Sequence, residues 1–294
     1  MFPKMLLLPS ASSRALDYAG FSFGGNQLDK AMKTKTITKY RLISVLAVIL
    51  FLVAWYLLSD VFQVFRNGML PGPQKILATF INKLTSKVPD GNTLGGHIMA
   101  SLIVVLSGYA IGVTIGIPTG ILMAWYKPID YIVRPVFDFL RNIPGIAWIP
   151  IVTVWLGIDL RAKAAIIFVN VFVGTVVNVY SGIKQTNEVH IWVAQIFGAS
   201  HWEVLKRVAL PSALPYIFTG MRVALGMAWL GIIAAELLAA QSGLGYMIQV
   251  ARNFGRADLV IVGMLTIGLL GALLTKGLEI LEHKFVKGRK NEKK

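Results

Sequence analysis

Long apolar segments separated by short polar ones make up the chain from residue 42 onward. The first of them, 42–62, carries one charged residue, Asp60, near its end. At 1.5 Å per residue, about 20 apolar residues in a helix cross a hydrocarbon core of ~30 Å. The segment is longer than the apolar part of a secretory signal, and no small-residue cleavage site follows it. We therefore interpret 42–62 as a transmembrane helix.

Five further segments have the same character. They are 97–125, 131–156, 162–183, 212–240 and 259–285. Several are longer than a perpendicular span requires, so we expect tilt, kinks or ends that lie at the membrane interface. The pattern predicts an all-α membrane protein with six transmembrane helices and both termini on the same side.

Composition supports a membrane protein and removes several other classes. Of the 294 residues, 55% are hydrophobic and 15% are charged, whereas roughly 25% of the residues of soluble domains are charged. The absence of cysteine excludes a disulfide scaffold, a thiol nucleophile and a cysteine-ligated metal. A net charge of +15 would suggest nucleic acid as a partner, but this depends on where the charges lie.

The positions of lysine and arginine predict an orientation instead. With both termini inside, the inside segments hold 18 of the 29 basic residues and the outside segments hold 8. Cytoplasmic segments are enriched in Lys and Arg, so this bias predicts that both termini are cytoplasmic (N-in, C-in). Thirteen of the 29 lie in 1–41 and from Lys284 onward, where they suit contact with anionic membrane lipid. We expect no nucleic-acid partner.

The chain divides into four predicted parts. They are a basic cytoplasmic tail at 1–41, the first transmembrane helix with an outer interfacial segment at 42–96, a core at 97–284 and a second basic tail at 285–294. Within the core, one long inside loop extends over 184–211. Met32 would be a natural start for a membrane protein of this kind, so we expect 1–31 to contribute nothing to function.

A short amphipathic helix is predicted in the outer segment. Pro73 suits the first turn of a helix, and Lys75, Lys83 and Lys87 fall among the polar positions. The apolar positions at helical spacing are Ile76, Leu77, Phe80, Ile81 and Leu84. Such a helix either lies at the outer membrane interface or packs on its own bundle. The sequence leaves both alternatives open.

Small residues recur at every fourth position of the second span. They are Gly108, Gly112, Gly116 and Gly120, followed by Ala124. The fifth span repeats the device with glycine and alanine between 220 and 239. A stripe of this kind lets another helix approach closely. It predicts tight helix packing without chemistry, and we expect the second and fifth spans to be central to the bundle.

Charged and helix-breaking residues inside the spans are candidates for a translocation pathway. Arg222 and Glu236 share a helix face but lie roughly 21 Å apart along the axis, so they cannot pair with each other. Two prolines and a glycine must disturb the helix over 141–150, and freed backbone groups at membrane depth need a protein or a cavity around them. The candidates are Arg141, Asn142, Trp148, Arg222, Trp229 and Glu236. Snorkelling, or structural pairing with another helix, is the alternative for the charged ones.

The inside loop 184–211 has clear local signals. A first helix over 189–197 is predicted to end at Gly198, which can adopt the left-handed conformation. Ser200 and Glu203 form a capping box that opens a second helix, which we expect Pro211 to terminate. Apolar surface for a partner protein is expected from Ile191, Ala194, Phe197, Leu205 and Val208. A compact helix–glycine–helix unit of this kind suits a socket on another chain.

This loop resembles the EAA loop of binding-protein-dependent ABC importer permeases, with the pattern Glu-Ala-Ala-x3-Gly-x9-Ile-x-Leu-Pro. Ala194, Gly198, Leu210 and Pro211 match at the correct spacing, whereas Trp192 stands at the glutamate position. Docking would therefore rely on shape, backbone and neighbouring polar residues rather than on an acidic side chain. The residues that the resemblance implicates in coupling to an ATPase are Trp192, Val193, Ala194, Gly198, Ala199, Ser200, Glu203, Leu210 and Pro211.

The resemblance extends over most of residues 42–285. In detail the chain resembles the nitrate, sulfonate, taurine and bicarbonate branch of the family. The segments that carry it are 70–73, 141–150, 215–222, 234–237 and 243–245. It implies a type I importer permease bundle in the bacterial cell membrane, with no catalytic residue, metal or cofactor of its own. It also implies separate ATPase subunits, a substrate-binding protein and a second permease copy, most simply a homodimer. The chain agrees in lacking a phosphate-binding loop.

Other functional classes are alternatives on the residues alone. An ion-coupled secondary carrier working without an ATPase would use ionisable groups near the bilayer middle and usually an internal repeat. Glu236 is the one intramembrane acid that we recognise, and it lies near a helix end. A membrane-embedded enzyme would need a nucleophile–base pair or a metal cluster, and the four histidines are scattered along the chain. Uptake without any ATPase subunit would favour the carrier.

Overall fold

The computed structural model describes residues 42–62, 64, 69–238 and 240–285, and all secondary structure in these ranges is helical. The chain forms two units, 1–68 and 69–294. In the first unit, α1 extends over Leu42–Val61, and its last residues, Leu57–Val61, form a π-turn. The two basic tails and the 1–31 segment lie outside the described residues.

Nine helices follow in the described part of the second unit. They are α2 Pro73–Lys83, α3 Leu94–Trp125, α4 Lys127–Leu140, α5 Ile149–Leu156, α6 Leu160–Lys184, α7 Glu188–Ile196, α8 His201–Leu238, α9 Leu244–Asn253 and α10 Ala257–Phe285. A 3₁₀ turn, Gly145–Trp148, precedes α5. Five of the helices, α1, α3, α6, α8 and α10, are long and apolar enough to cross a membrane.

The third predicted span, 131–156, is broken. In place of one helix over 131–156, α4 and α5 meet at an angle of 85°. At the break Pro144 has a non-helical backbone conformation (φ −56°, ψ 137°). The side chain of Asn170 on α6 occupies the space that a Cβ atom on Gly145 would need. The predicted disturbance at 141–150 is therefore a sharp bend packed against α6.

The centre of the bundle is α6, which lies between α3 and α8. A Cβ atom on Gly108 would lie 2.7 Å from the Cβ of Ile167, and one on Gly112 would lie 2.6 Å from a Val171 methyl carbon. Gly116 and Gly120 face Thr175 and Val179 of α6 in the same way. The second and fifth spans both pack closely on α6, the fourth span, whose β-branched side chains the glycine stripe receives, so the most central helix is α6, which the sequence did not single out.

On its other side, α6 packs against the small residues of α8. A Cβ atom on Gly182 would lie 2.6 Å from the Cβ of Tyr216, and one on Gly220 would lie 2.4 Å from the Cβ of Asn178. Ala224 and Ala228 are fully buried. Lipid offers no hydrophobic driving force between helices, so close contacts of this kind supply much of the association energy.

Pro211 does not terminate a helix, contrary to the prediction. The helix begins at His201 and continues for 38 residues to Leu238. The turn before the proline is widened into a π-turn, Leu205–Ala209, in which the N–H of Leu210 donates to the carbonyl of Leu205. The hydroxyl of Ser212 donates to the carbonyl of Val208 at 2.7 Å. Wide turns of this kind absorb the missing proline N–H without breaking the helix.

The helix α2 packs on the bundle through one side, whereas the apolar residues Leu77, Phe80, Ile81 and Leu84 stay exposed, so a position at the membrane interface stays a prediction. Ile76 is buried, and the hydroxyl of Thr79 donates to the carboxylate of Asp258 at 2.8 Å. Arg256 also donates twice to that carboxylate, which raises the pKa of Arg256. Lys83, expected on the polar face, is 2% exposed. It is buried because it pairs with a buried carboxylate of the following loop, as described below.

Candidate coupling loop and polar residues of the bundle

The loop between α6 and α8 is a rigid helical hairpin. The side chain of Asn187 accepts a hydrogen bond from the N–H of Val189 at 2.9 Å and so caps α7. After α7, Gly198 adopts φ +82°, and the N–H of Ala199 donates to the carbonyl of Ala194 at 3.0 Å. This left-handed glycine reverses the chain, as the sequence predicts.

The predicted capping box opens α8. The N–H of Ser200 donates to the carboxylate of Glu203 at 3.0 Å, and the N–H of Glu203 donates to the hydroxyl of Ser200 at 3.3 Å. Two backbone donors of the first turn are thereby satisfied reciprocally. The second half of the hairpin is therefore the first turn of α8 rather than a separate helix.

The hairpin is fixed to the bundle at its α8 side. The ring of His201 lies edge-on to Trp125 at the end of α3, with centroids 4.7 Å apart. Val204 and Leu205 are 1% and 3% exposed, and Leu205 packs with Val179 and Ile183 of α6. Leu205 was expected to offer surface to a partner, and that expectation is wrong because the residue belongs to this chain's own core.

The other side of the hairpin presents apolar side chains to the surroundings. The residues are Val189, Trp192, Val193, Ile196 and Phe197, here called the α7 face. Their spacing places them on one side of a helix. Ile196 and Phe197 are 83% and 87% exposed, although Ile191 and Ala194, which were also expected at the surface, are half-buried. This chain supplies no cover for the α7 face within its described residues.

Two pathway candidates lie at the end of α4, next to the bend. The guanidinium of Arg141 lies 3.1 Å from the carboxylate of Asp138, and the side-chain amide of Asn142 donates to the Asp138 carbonyl at 2.6 Å. Both Arg141 and Asn142 are exposed. Trp148, in the 3₁₀ turn beyond the bend, is half-buried. These three residues therefore border the break in the span.

Arg222 has a partner that the sequence reasoning missed. It donates to the carboxylate of Glu282 near the end of α10, and Glu282 is 2% exposed. A charge this deeply buried in a span needs a counter-charge. Glu282 lies near the end of the predicted span 259–285, and its neighbours in the sequence give no sign of a partner 60 positions away. The pairing of Glu282 with Arg222 could be predicted only by noticing that both residues lie near the same end of their spans.

Trp229 joins α8 to α10. Its indole N–H donates to the carbonyl of Ile267 at 3.0 Å, and its ring lies against Gly271. The side chain is 9% exposed. The indole thus satisfies its donor inside the bundle, as a buried tryptophan should.

Glu236 lies at the end of the bundle away from the hairpin and is 2% exposed. Its carboxylate oxygens lie 2.8 and 3.0 Å from the hydroxyl of Ser101 on α3, and it accepts the N–H of Gly245 at 2.8 Å. Gly243 adopts φ +117°, and a Cβ atom there would lie 2.1 Å from the carboxylate. Glu236 and Arg222 thus have separate partners, which agrees with the predicted impossibility of their pairing.

A second buried polar cluster adjoins Glu236. The ammonium of Lys83 lies 2.5 Å from the carboxylate of Asp90, which also lies 3.3 Å from the ring of His97. The other ring nitrogen of His97 accepts the N–H of Gly243 at 3.1 Å. This cluster ties the loop after α2 to α3 and to the α8–α9 connection. The sequence assigned Lys83 to an outer polar face, because a single lysine gives no sign of a distant carboxylate.

The pathway candidates do not converge on one site within the chain. Trp229 and Glu236 lie in the interior with partners of their own, whereas Arg141 and Asn142 lie on the surface of the broken span. A pathway role for the six candidates stays a prediction.

The chain is similar to known transport proteins. The sequence profile of the family described as "Binding-protein-dependent transport system inner membrane component" matches residues 116–288. The taurine transport system permease of Escherichia coli is 36% identical over 245 residues, 82% of this chain and 87% of that protein. The nitrate import permease of Synechocystis is 31% identical over 240 residues, 80% of this chain and 86% of that protein.

A solved structure shares the fold. The chain matches a chain of the MetNI methionine ABC transporter in an inward-facing conformation with a TM-score of 0.54 and 20% identity, over 66% of this chain and 94% of that one. At this identity the likeness shows the architecture of the helices. It agrees with the predicted permease bundle.

Proposed function

The chain belongs to the family of binding-protein-dependent transport system inner membrane components, and from this premise we propose how it works as the permease subunit of an ATP-driven importer. Its relatives are permeases of ABC importers, and its apolar helices place it in the bacterial plasma membrane. The chain itself supplies the route across the membrane. ATPase subunits and a substrate-binding protein are its family's partners.

The substrate is a small oxyanion or sulfonate. The named relatives carry taurine and nitrate, which share a compact group with negative charge spread over several oxygens. An anion of this kind crosses the bilayer slowly without a protein, because moving it into hydrocarbon has a large desolvation cost.

The α7 face is the docking surface for the ATPase. Its exposure is the observation that carries this assignment: Phe197 is 87% exposed and Trp192 is 57% exposed, on a hairpin held rigid by a left-handed glycine and a capping box. Aromatic side chains at the centre of an interface contribute most of its energy when they fill pockets. Trp192 takes the place of the family's glutamate, so an apolar pocket on the ATPase replaces an ionic contact.

Motion of the ATPase reaches the membrane through α8. This helix starts inside the hairpin at the Ser200 cap and runs for 38 residues to Leu238, a length of roughly 57 Å. A displacement of the hairpin therefore acts directly on the residues of α8 that contact α6 and α10. ATP binding would close the ATPase pair and move the hairpins, which alternates access to the pathway.

The orientation and the second copy complete the proposal. If the hairpin meets a cytoplasmic ATPase, both tails of a six-span chain are cytoplasmic, which is the orientation that the basic residues favour. Two identical chains would surround the pathway, with the broken span of each, including Arg141 and Asn142, facing it.

Co-purification of the ATPase tests the docking assignment. A tagged chain carrying Trp192→Ala and Phe197→Ala should lose most of the ATPase that the unaltered chain retains, because two aromatic anchors are removed. Leu269→Ala is the matched control, since Leu269 is 61% exposed on α10, away from the hairpin. Undiminished ATPase on the doubly substituted chain would reject the α7 face as the docking surface.

A further inference from the structure

Lys163 is a buried cation at the end of the bundle opposite the hairpin. It lies in the first turn of α6 and is 8% exposed. Twenty-one residues separate it from Lys184 at the other end of α6, which corresponds to about 30 Å. A lysine with this little exposure needs a reason, because burial of an ammonium group is costly.

No carboxylate neutralises Lys163 at contact distance. In the described part of the chain its ammonium makes no ion pair, and its side chain makes no hydrogen bond. It interacts electrostatically with Glu236, and that carboxylate is already held by Ser101 and by the N–H of Gly245. Glu236 therefore influences Lys163 from beyond ion-pair distance and leaves its three donors available.

The side chain of Lys163 lines a cavity at this end. The cavity is formed by Ala100, Ile103, Val104, Ile158, Asp159, Leu160, Lys163, Gln241 and Ser242. Gln241 and Ser242 bring polar groups from the α8–α9 connection. The first turn of α6 is at the same place, where unpaired N–H groups and the helix dipole favour a negative charge. The cavity thus combines a buried cation, a helix N-terminus and hydrogen-bonding side chains.

We propose that Lys163 binds the charged group of a small oxyanion in this cavity, at the first site that the transported substrate meets inside the permease. This inference rests on the proposed transport function. The shared chemistry of the ligand is one compact oxyanion group, which a sulfonate, nitrate or bicarbonate provides. The ammonium gains the counter-charge that its own chain does not place beside it, and the apolar wall from α3 limits the site to a small ligand.

Asp159 distinguishes zwitterionic substrates from simple anions. It stands at the N-cap position of α6, four residues before Lys163, without a capping hydrogen bond from its side chain, and it is exposed at the rim of the cavity. Its carboxylate can meet the ammonium group of a zwitterion such as taurine, whereas nitrate has no such group. Asp159→Asn should therefore weaken binding of taurine and leave binding of nitrate unchanged or improved.

Thermal unfolding of the purified full-length chain with its ATPase measures binding directly. The probes are sodium nitrate, sodium bicarbonate and taurine at constant ionic strength, with gluconate as the bulky balancing anion. At a concentration ten times the Kd, at least one probe should raise the Tm by roughly 3 °C. Lys163→Met, which keeps the length of the side chain without its charge, should abolish that shift, and Lys163→Arg should retain part of it.

Arg161→Met is the matched control, because Arg161 is exposed two residues away and lies outside the cavity lining. It should keep the full shift. A second measurement needs no variant: the bound probe should slow the acylation of Lys163 by an amine reagent, read by peptide mass spectrometry, while acylation of the exposed Lys75 stays constant. This measurement holds even if Lys163→Met fails to fold.

The outcomes separate this site from the transport proposal. An equal shift in Lys163→Met and in the unaltered chain, or no protection of Lys163 by any probe, overturns the site. ATP-driven uptake that is undiminished in Lys163→Met overturns it as well and leaves the transport function standing. Probe binding that depends on Lys163, without ATP-driven uptake of any probe by the complete importer, supports the site and rejects the proposed substrate class.

Discussion

The hydroxyl of Ser101 lies within hydrogen-bond distance of both carboxylate oxygens of Glu236, at 2.8 and 3.0 Å. The same hydroxyl accepts the N–H of Leu244 at 2.9 Å. One side chain of α3 therefore links the end of α8 to the start of α9. Because Glu236 is buried, this contact satisfies a group that water cannot reach.

Ser101→Ala should destabilise the protein by about 1–3 kcal/mol, since a buried acceptor and a backbone N–H lose their partner. Thermal unfolding in detergent measures the change. Ser107→Ala is the control on the same helix, because the hydroxyl of Ser107 bonds the carbonyl of Val104 in its own helix. A Tm for Ser101→Ala that equals that of the control would show that Glu236 does not depend on Ser101.

Gly112→Ala should lower the Tm, because the added methyl group would lie 2.6 Å from a carbon of Val171 and 3.3 Å from the Phe168 carbonyl oxygen. Overpacking of this kind costs about 1–3 kcal/mol. Gly226→Ala on α8 is the matched change in open space, since no atom lies within 4 Å of its added Cβ. It should leave the Tm unchanged or raise it, because alanine is the better helix former. The reverse order of the two Tm values would contradict the packing of α3 on α6.

Gly198→Val should uncouple ATP hydrolysis from uptake. The φ of +82° at Gly198 suits glycine and is tolerated by asparagine, whereas a β-branched residue is strained there. The hairpin would then change shape and the α7 face would turn away from its partner. Uptake and ATP hydrolysis are measured together in the complete importer, and Gly198→Asn should keep most of the coupling. Coupled uptake that survives Gly198→Val would exclude a dependence on this turn.

Arg222→Met should lower the Tm, because it leaves the buried carboxylate of Glu282 without its guanidinium. Removal of one partner from a buried ion pair costs more than removal of both. Adding Glu282→Met to Arg222→Met should therefore restore part of the lost stability. If the loss of Tm in the double variant equals the sum of the losses in the two single variants, the two side chains do not act as a pair.

Much of the fold could be predicted from periodicity and from local signals. The apolar lengths located the spans, and Gly198, Ser200 and Glu203 predicted the hairpin, because turn and capping preferences act over a few residues. Pro211 was misjudged, since a proline ends a helix unless the preceding turn widens. The identity of the central helix was also missed. A glycine stripe shows that a helix is approached closely but carries no information about which helix approaches.

Site residues whose role depends on neighbours in the sequence could be predicted, whereas those whose contacts are distant in the sequence could not. The α7 face follows from a short motif and a helical repeat, so the sequence indicated it. Lys83 was assigned to an outer polar position, and Lys163 was not singled out, because a lone lysine near a helix end is usually solvated. Lys83 is buried with its partner Asp90, and Lys163 lines a cavity between segments that are distant in sequence. Glu282 was missed for the same reason, as its partner Arg222 lies 60 residues away.

Reconstituted uptake tests the central claim most directly. Proteoliposomes containing this chain with its ATPase, supplied with the substrate-binding protein and labelled taurine, nitrate or bicarbonate, should accumulate one of these compounds when ATP is present. Accumulation should stop when the ATPase, the binding protein or ATP is omitted. Uptake by the chain alone, driven by an ion gradient without any ATPase, would contradict the account and identify a secondary carrier.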